Sequence, residues 1–133
     1  MQAGTCQELA ELQRKVKEVY VDPGLVSYAV SLAAATREPA SFGLEGISEF
    51  VAYGASPRGP IALVQSARAL ALVHGRDYVI PSDLRSLVKD AFRHRLVLTY
   101  QALAEERSAD DVLDAVIAAV PQPRLELGRP AAA

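Results

Sequence analysis

Ser56-Pro57-Arg58-Gly59-Pro60-Ile61-Ala62-Leu63-Val64-Gln65-Ser66-Ala67-Arg68-Ala69-Leu70-Ala71-Leu72-Val73-His74-Gly75 is the stretch whose reading decides the fold. Serine ahead of proline is a helix start: the hydroxyl caps free N–H groups and the ring presets a helical φ. Gly75 is suited to the left-handed residue that ends a helix. The spacing predicts a helix over 57–74. Apolar side chains stand on nearly all its sides, the mark of the central and most buried helix of a small domain.

Working outward, Asp22-Pro23 repeats the start signal and opens a helix to about Arg37 that buries Leu25, Val26, Ala29, Val30 and Ala33. Before it, residues 6–20 carry Leu9, Leu12, Val16, Val19 and Tyr20 on one face. Pro39 stops the second helix. Residues 39–56 form a long connection, with a short helix or strand at Ile47–Tyr53. Downstream, Pro81 opens a helix to about Arg93 with the stripe Leu84, Leu87, Val88, Ala91 and Phe92. Ser108-Ala109-Asp110-Asp111 is a capping-box variant that opens a last helix to about Val120. Tyr78-Val79-Ile80 and Leu96–Tyr100 are β-like and would pair with each other. The expected fold is mainly all-α, a small bundle of four to five helices with a minimal two-stranded β ribbon. Residues 1–6 read as a leader, of which 1–5 need not be native sequence. The helical domain spans 7–123, and 124–133 reads as a flexible tail.

Composition narrows function. Half of the 133 residues are hydrophobic, but only eight are aromatic, and the net charge is −2. That balance weighs against a dedicated nucleic-acid binder. A single cysteine, Cys6, excludes an internal disulfide framework and fits a reduced, cytoplasmic setting. No apolar run is long enough for a membrane span, and the N-terminus carries no signal-peptide pattern.

Arg58 is the candidate site residue. At the second position of a helix, a cation opposes the helix dipole by roughly 0.3–1 kcal/mol. The same position suits an anion: free N–H groups, the dipole and a guanidinium can converge on a phosphate. The alternative is an exposed arginine paired with a nearby carboxylate. Arg37 has two readings also, one toward a ligand or neighbouring subunit and one capping the carbonyls that end its own helix.

Tyr53-Gly54-Ala55-Ser56-Pro57-Arg58 resembles the second-sensor motif of MoxR-type AAA+ ATPases. Further stretches match that family's C-terminal lid in order and spacing: Val19-Tyr20-Val21-Asp22, Ala35-Thr36-Arg37, Gly75-Arg76-Asp77-Tyr78-Val79, Pro81-Ser82-Asp83-Leu84, His94-Arg95-Leu96 and Val120-Pro121-Gln122-Pro123. Gly59, where alanine is usual, and Gln122, inside the usual Val-Pro-Val-Pro ending, depart from it. A helical glycine costs about 1 kcal/mol relative to alanine and would loosen the helix start. The resemblance implies that Arg58 is a catalytic and cofactor-binding residue reaching the γ-phosphate of ATP held with Mg on the AAA+ core domain. It also implies a hexamer with neighbouring subunits in contact, von Willebrand factor A domain partners, and chaperone-like maturation of protein complexes.

The catalytic half is missing from the sequence. Gly54 and Gly59 have P-loop glycine spacing, but Pro60-Ile61 stands where Lys-Ser/Thr is required. No Walker B strand end is visible, so the chain is expected not to hydrolyse ATP alone. No metal site is expected from Cys6, His74 and His94, which lack ligand spacing. Two other functions stay open: a winged-helix-like DNA module using Arg85, Lys89, Arg93 and Arg95, and a stand-alone helical protein-interaction domain.

Overall fold

The computed structural model describes residues 6–123, so the expected leader up to residue 5 and the tail from 124 lie outside the described residues. Five long helices carry the fold: α1 (Cys6–Glu18), α2 (Pro23–Arg37), α4 (Arg58–Val73), α5 (Pro81–Phe92) and α7 (Ala109–Ala119). Short helices α3 (Glu45–Ser48) and α6 (Tyr100–Ala104) lie between them, with strands β1 (Val51–Tyr53) and β2 (Val97–Leu98). This is the expected mainly α bundle with a two-stranded ribbon.

The helix ends follow their local chemistry. Asp22 Oδ1 accepts from Gly24 N–H at 2.8 Å with Pro23 at the first position of α2. Ser108 and Asp111 form a reciprocal capping box at α7, at 3.2 and 2.9 Å. Gly75 ends α4 at φ +77°, and Arg76 N–H reaches back to Ala71 O at 2.9 Å, the Schellman arrangement.

The core forms where α2, α4, α5 and α7 meet. Leu25, Leu32, Leu63, Leu84, Val88, Phe92, Leu113 and Val116 are fully buried there. α4 packs against α1, α2 and α5, but it is not buried all round as its sequence suggests. Its inner face is Leu63, Ala67 and Ala71, small enough for close helix approach, whereas Ile61 and Val73 are exposed. The same correction applies to α2, where Val26 and Val30, expected to be buried, are 43% and 48% exposed because they face away from the core. Along α1, which packs on α4, Leu9 and Leu12 are more than half exposed and no residue is buried.

The ribbon has a different partner from the one expected. β2 pairs antiparallel with β1, Val51 opposite Leu98 and Tyr53 opposite Val97. Tyr78 instead makes an isolated parallel bridge to Tyr20, with Tyr20 N–H on Asp77 O at 2.8 Å and Val79 N–H on Tyr20 O at 2.9 Å. Runs this short cannot specify a pairing by alternation alone. The choice is made by Thr99, whose hydroxyl and N–H bond Glu49 O and Phe50 O at 2.7 and 3.0 Å. Residues 45–53 thus contain both a short helix and a strand. Among the described residues, no helix is long and apolar enough to cross a membrane.

Candidate functional site

The loop 54–57 delivers Arg58, and the end of α2 holds that loop. Thr36 is fully buried; its hydroxyl donates to Ala33 O at 2.6 Å and accepts Ala55 N–H at 2.9 Å. Arg37 Nη1 donates to Ala55 O at 2.9 Å. Both backbone groups of Ala55 are therefore clasped by successive side chains of α2. Arg37 does not cap its own helix end, as one reading of the sequence has it: it bonds the carbonyl of the next loop. Gly54 makes the clasp close, because a Cβ there would lie 2.5 Å from Arg37 N and from Thr36 C.

Helical hydrogen bonding begins at Arg58, and Pro57 just ahead already has helical angles, φ −56° and ψ −17°. Ser56 supplies the cap: its hydroxyl accepts Arg58 N–H at 3.3 Å and its carbonyl accepts Gly59 N–H at 2.9 Å. Pro60 has no N–H. The free backbone donors anticipated beside Arg58 are thus taken or absent, and what the site offers an anion is the guanidinium. Arg58 is exposed, and its side chain has no hydrogen-bond or ion-pair partner among the described residues. Among the described residues, no carboxylate pairs with it. Gly59 does not loosen the helix. It is buried, and a Cβ would meet Phe92 Cε1 at 3.0 Å and Ala55 Cβ at 3.2 Å, so its smallness seats the first turn against the Phe92 ring.

Residues 45–116, which carry the loop and Arg58, match the AAA lid domain family. The chain belongs to that family, in its MoxR-type branch. It is 44% identical over 118 residues to Chaperone MoxR1 of Mycobacterium tuberculosis, a match covering 89% of this chain and 31% of that protein. Against Protein MoxR of Paracoccus denitrificans the identity is 37%, covering 78% of this chain and 32% of that protein. A crystal structure of a candidate ATPase from Cytophaga hutchinsonii superposes with a TM-score of 0.86 at 33% identity, over 89% of this chain and 36% of the other. The chain therefore spans about a third of the length of the relatives it matches.

The lid contains a second arginine site that sequence reasoning quoted but did not interpret. Arg76 Nη1 and Nη2 both bond Asp83, each at 2.8 Å, and Asp83 Oδ2 also accepts Ile80 N–H at 2.9 Å. Arg76 Nη1 reaches Tyr78 O at 3.1 Å as well. Burial alone would raise the Asp83 carboxyl, but the Arg76 guanidinium and the Ile80 N–H outweigh it and hold it below the usual carboxylate range. The hydrogen bond that Arg76 donates to Asp83 raises Arg76 in turn.

Two of the four cations of the DNA alternative are ion-paired within the lid. Lys89 pairs with Asp114 at 2.8 Å and Arg93 with Asp110 at 2.7 Å, both exposed, while Arg95 Nε caps Ala91 O at 2.9 Å. That weakens the cluster's pull on a phosphate backbone. His74 Nδ1 lies 3.3 Å from Arg76 Nη2, and among the described residues no group of His, Cys, Asp and Glu could hold a metal ion.

Proposed function

We propose that this lid supplies Arg58 to the γ-phosphate of ATP bound on an AAA+ core domain, and thereby couples hydrolysis to chaperone-like remodelling. The observation that carries the reading is a guanidinium with no partner among the described residues, mounted on a loop clasped on both sides by Thr36 and Arg37. An arginine so placed can follow charge as it develops on a transferring phosphoryl group. Mg and the other phosphate contacts belong to the core. Rotation of the lid would carry Arg58 toward or away from the nucleotide and transmit its state to neighbouring subunits of a hexamer. The whole assembly works in the cytoplasm, and proteins with von Willebrand factor A domains are its expected partners.

The test is Arg58→Ala in the complete ATPase. Turnover should fall at least about tenfold, as when one charge-stabilising donor is removed. Arg58→Lys should restore only part of it, since an ammonium lacks the planar fork. Unchanged turnover in Arg58→Ala would overturn the assignment.

A further inference from the structure

An open groove of about 430 Å³ runs between α2 and α4, and Arg58 is not among the residues that line it. Its apolar wall is Val26 and Val30 from α2 with Ile61 and Val64 from α4. Val26, Val30 and Ile61 are 43%, 48% and 59% exposed, so three β-branched side chains line one face without cover. This is the side of α4 whose apolar character the core does not use.

Two arginines share the lining, Arg37 and Arg68. Arg37 bonds Ala55 O and so stands at the Pro57 end. Arg68 lies about three turns further along α4, roughly 16 Å of helical rise. Neither has an acidic partner among the described residues. Arg68 Nε is buried and makes no hydrogen bond. Buried donors in native proteins are nearly always paired, and no acceptor for this one is found among the described residues.

We propose that the groove is a docking site for an amphipathic helix of a partner protein, with an apolar stripe about three turns long and a carboxylate at each end. A helix laid between two helices presents side chains at i, i+3, i+4 and i+7, which matches the reach from Val26 and Val30 to Ile61 and Val64. The end carboxylates would meet Arg37 and Arg68 in charge-assisted bonds and give the buried Arg68 Nε its acceptor. A helix with basic ends would leave that donor desolvated and add like-charge repulsion, which gives the groove its selectivity. The proposal is independent of any role of Arg58.

The probe is a fluorescein-labelled helical peptide of about three turns, with leucines at i, i+4 and i+7 and glutamates at both ends. A second peptide carries lysines at the ends. Fluorescence anisotropy on this chain should show the acidic peptide binding at least about tenfold more tightly than the basic one. Ile61→Asp and Arg68→Gln should each weaken it about tenfold or more, with circular dichroism confirming that both variants keep their helices. The methyl resonances of Val26, Val30, Ile61 and Val64 should shift on titration. Equal binding of the two peptides, or binding of neither, would overturn the proposal. So would a concentration-dependent dimer dispersed by Ile61→Asp, which would place a second copy in the groove. Binding by this chain but not by a longer polypeptide carrying the ATPase core would give the groove to that adjoining domain, and would overturn it too.

Discussion

Arg58 and Arg76 bracket the same helix, one at its first turn and the other just past its last, yet their surroundings are opposite. Arg76 is four-fifths covered and spends its fork on a carboxylate that is 3% exposed. Arg58 is exposed and touches no acceptor among the described residues. Both corners are held by backbone hydrogen bonds, but the fixed parts differ. At 74–83 the guanidinium is itself part of the structure. At 54–58 the structure fixes the loop and leaves the guanidinium out. An arginine whose two terminal nitrogens are engaged reads as architecture, while one mounted on a clasped loop with no partner among the described residues reads as half of a site.

The largest test breaks the first half of the comparison. Arg76→Ala would leave the Asp83 carboxylate buried without its cation, a change that costs about 3–5 kcal/mol when a buried pair is split. Arg76 keeps some solvent access, so the lower end is expected, a melting-point fall on the order of 10 °C by calorimetry. Acid should act on the same pair. The folded state holds Asp83 below the usual carboxylate value of 3.8, so the unfolded chain binds more protons there and stability rises with pH across that window. The contribution is complete above the unfolded value and is lost as pH falls through the folded one. Below about pH 4, the urea midpoint of the wild type should therefore drop more steeply than that of Asp83→Asn. Asp110, held low by Arg93 at the surface, titrates in both proteins alike. Parallel slopes would mean that the pair does not carry this linkage.

A smaller effect separates the clasp from the arginine it delivers. In Gly54→Ala the new Cβ meets main-chain atoms of Thr36 and Arg37 at about 2.5 Å, which no rotamer change can relieve. Overpacking of this kind costs about 1–3 kcal/mol. The amide resonances of Ala55 and Arg58 should move together as the Thr36 bond to Ala55 stretches. Stability lost without movement at Arg58 would show that the clasp does not position it.

Much of this was legible before any coordinates. Asp22-Pro23, Pro81 and Ser108 mark helix starts because caps act within three residues, and the periodicity of α5 needs only its own sequence. The ribbon was half legible: both segments are β-like, but the bonds from Thr99 to Glu49 and Phe50 that select the pairing join residues about fifty apart. The clasp left no mark, since a threonine that bonds a loop nineteen residues on looks like any helical threonine. Pro60 could have warned that the first turn of α4 lacks a full set of donors. Leu9, Leu12 and Ile61 carry a subtler lesson. An apolar stripe looks the same in sequence whether this chain or another one covers it, so periodicity finds the face but not its partner.

The smallest expected effect is the most diagnostic for Arg58. A cation in the first turn of α4 opposes the helix dipole, and no partner among the described residues offsets that cost. Arg58→Ala should therefore leave the melting point of the isolated lid unchanged or raise it slightly, by the equivalent of about 0.3–0.5 kcal/mol, the more so at low salt. The sign matters more than the size. A side chain that slightly harms its own domain calls for something outside that domain, which under the proposed function is the anion of the nucleotide. A loss beyond about 0.5 kcal/mol would exceed what exposed positions without special roles show. It would put Arg58 with Arg76 among the residues that hold the fold, and leave the lost turnover of the complete ATPase without a separate cause.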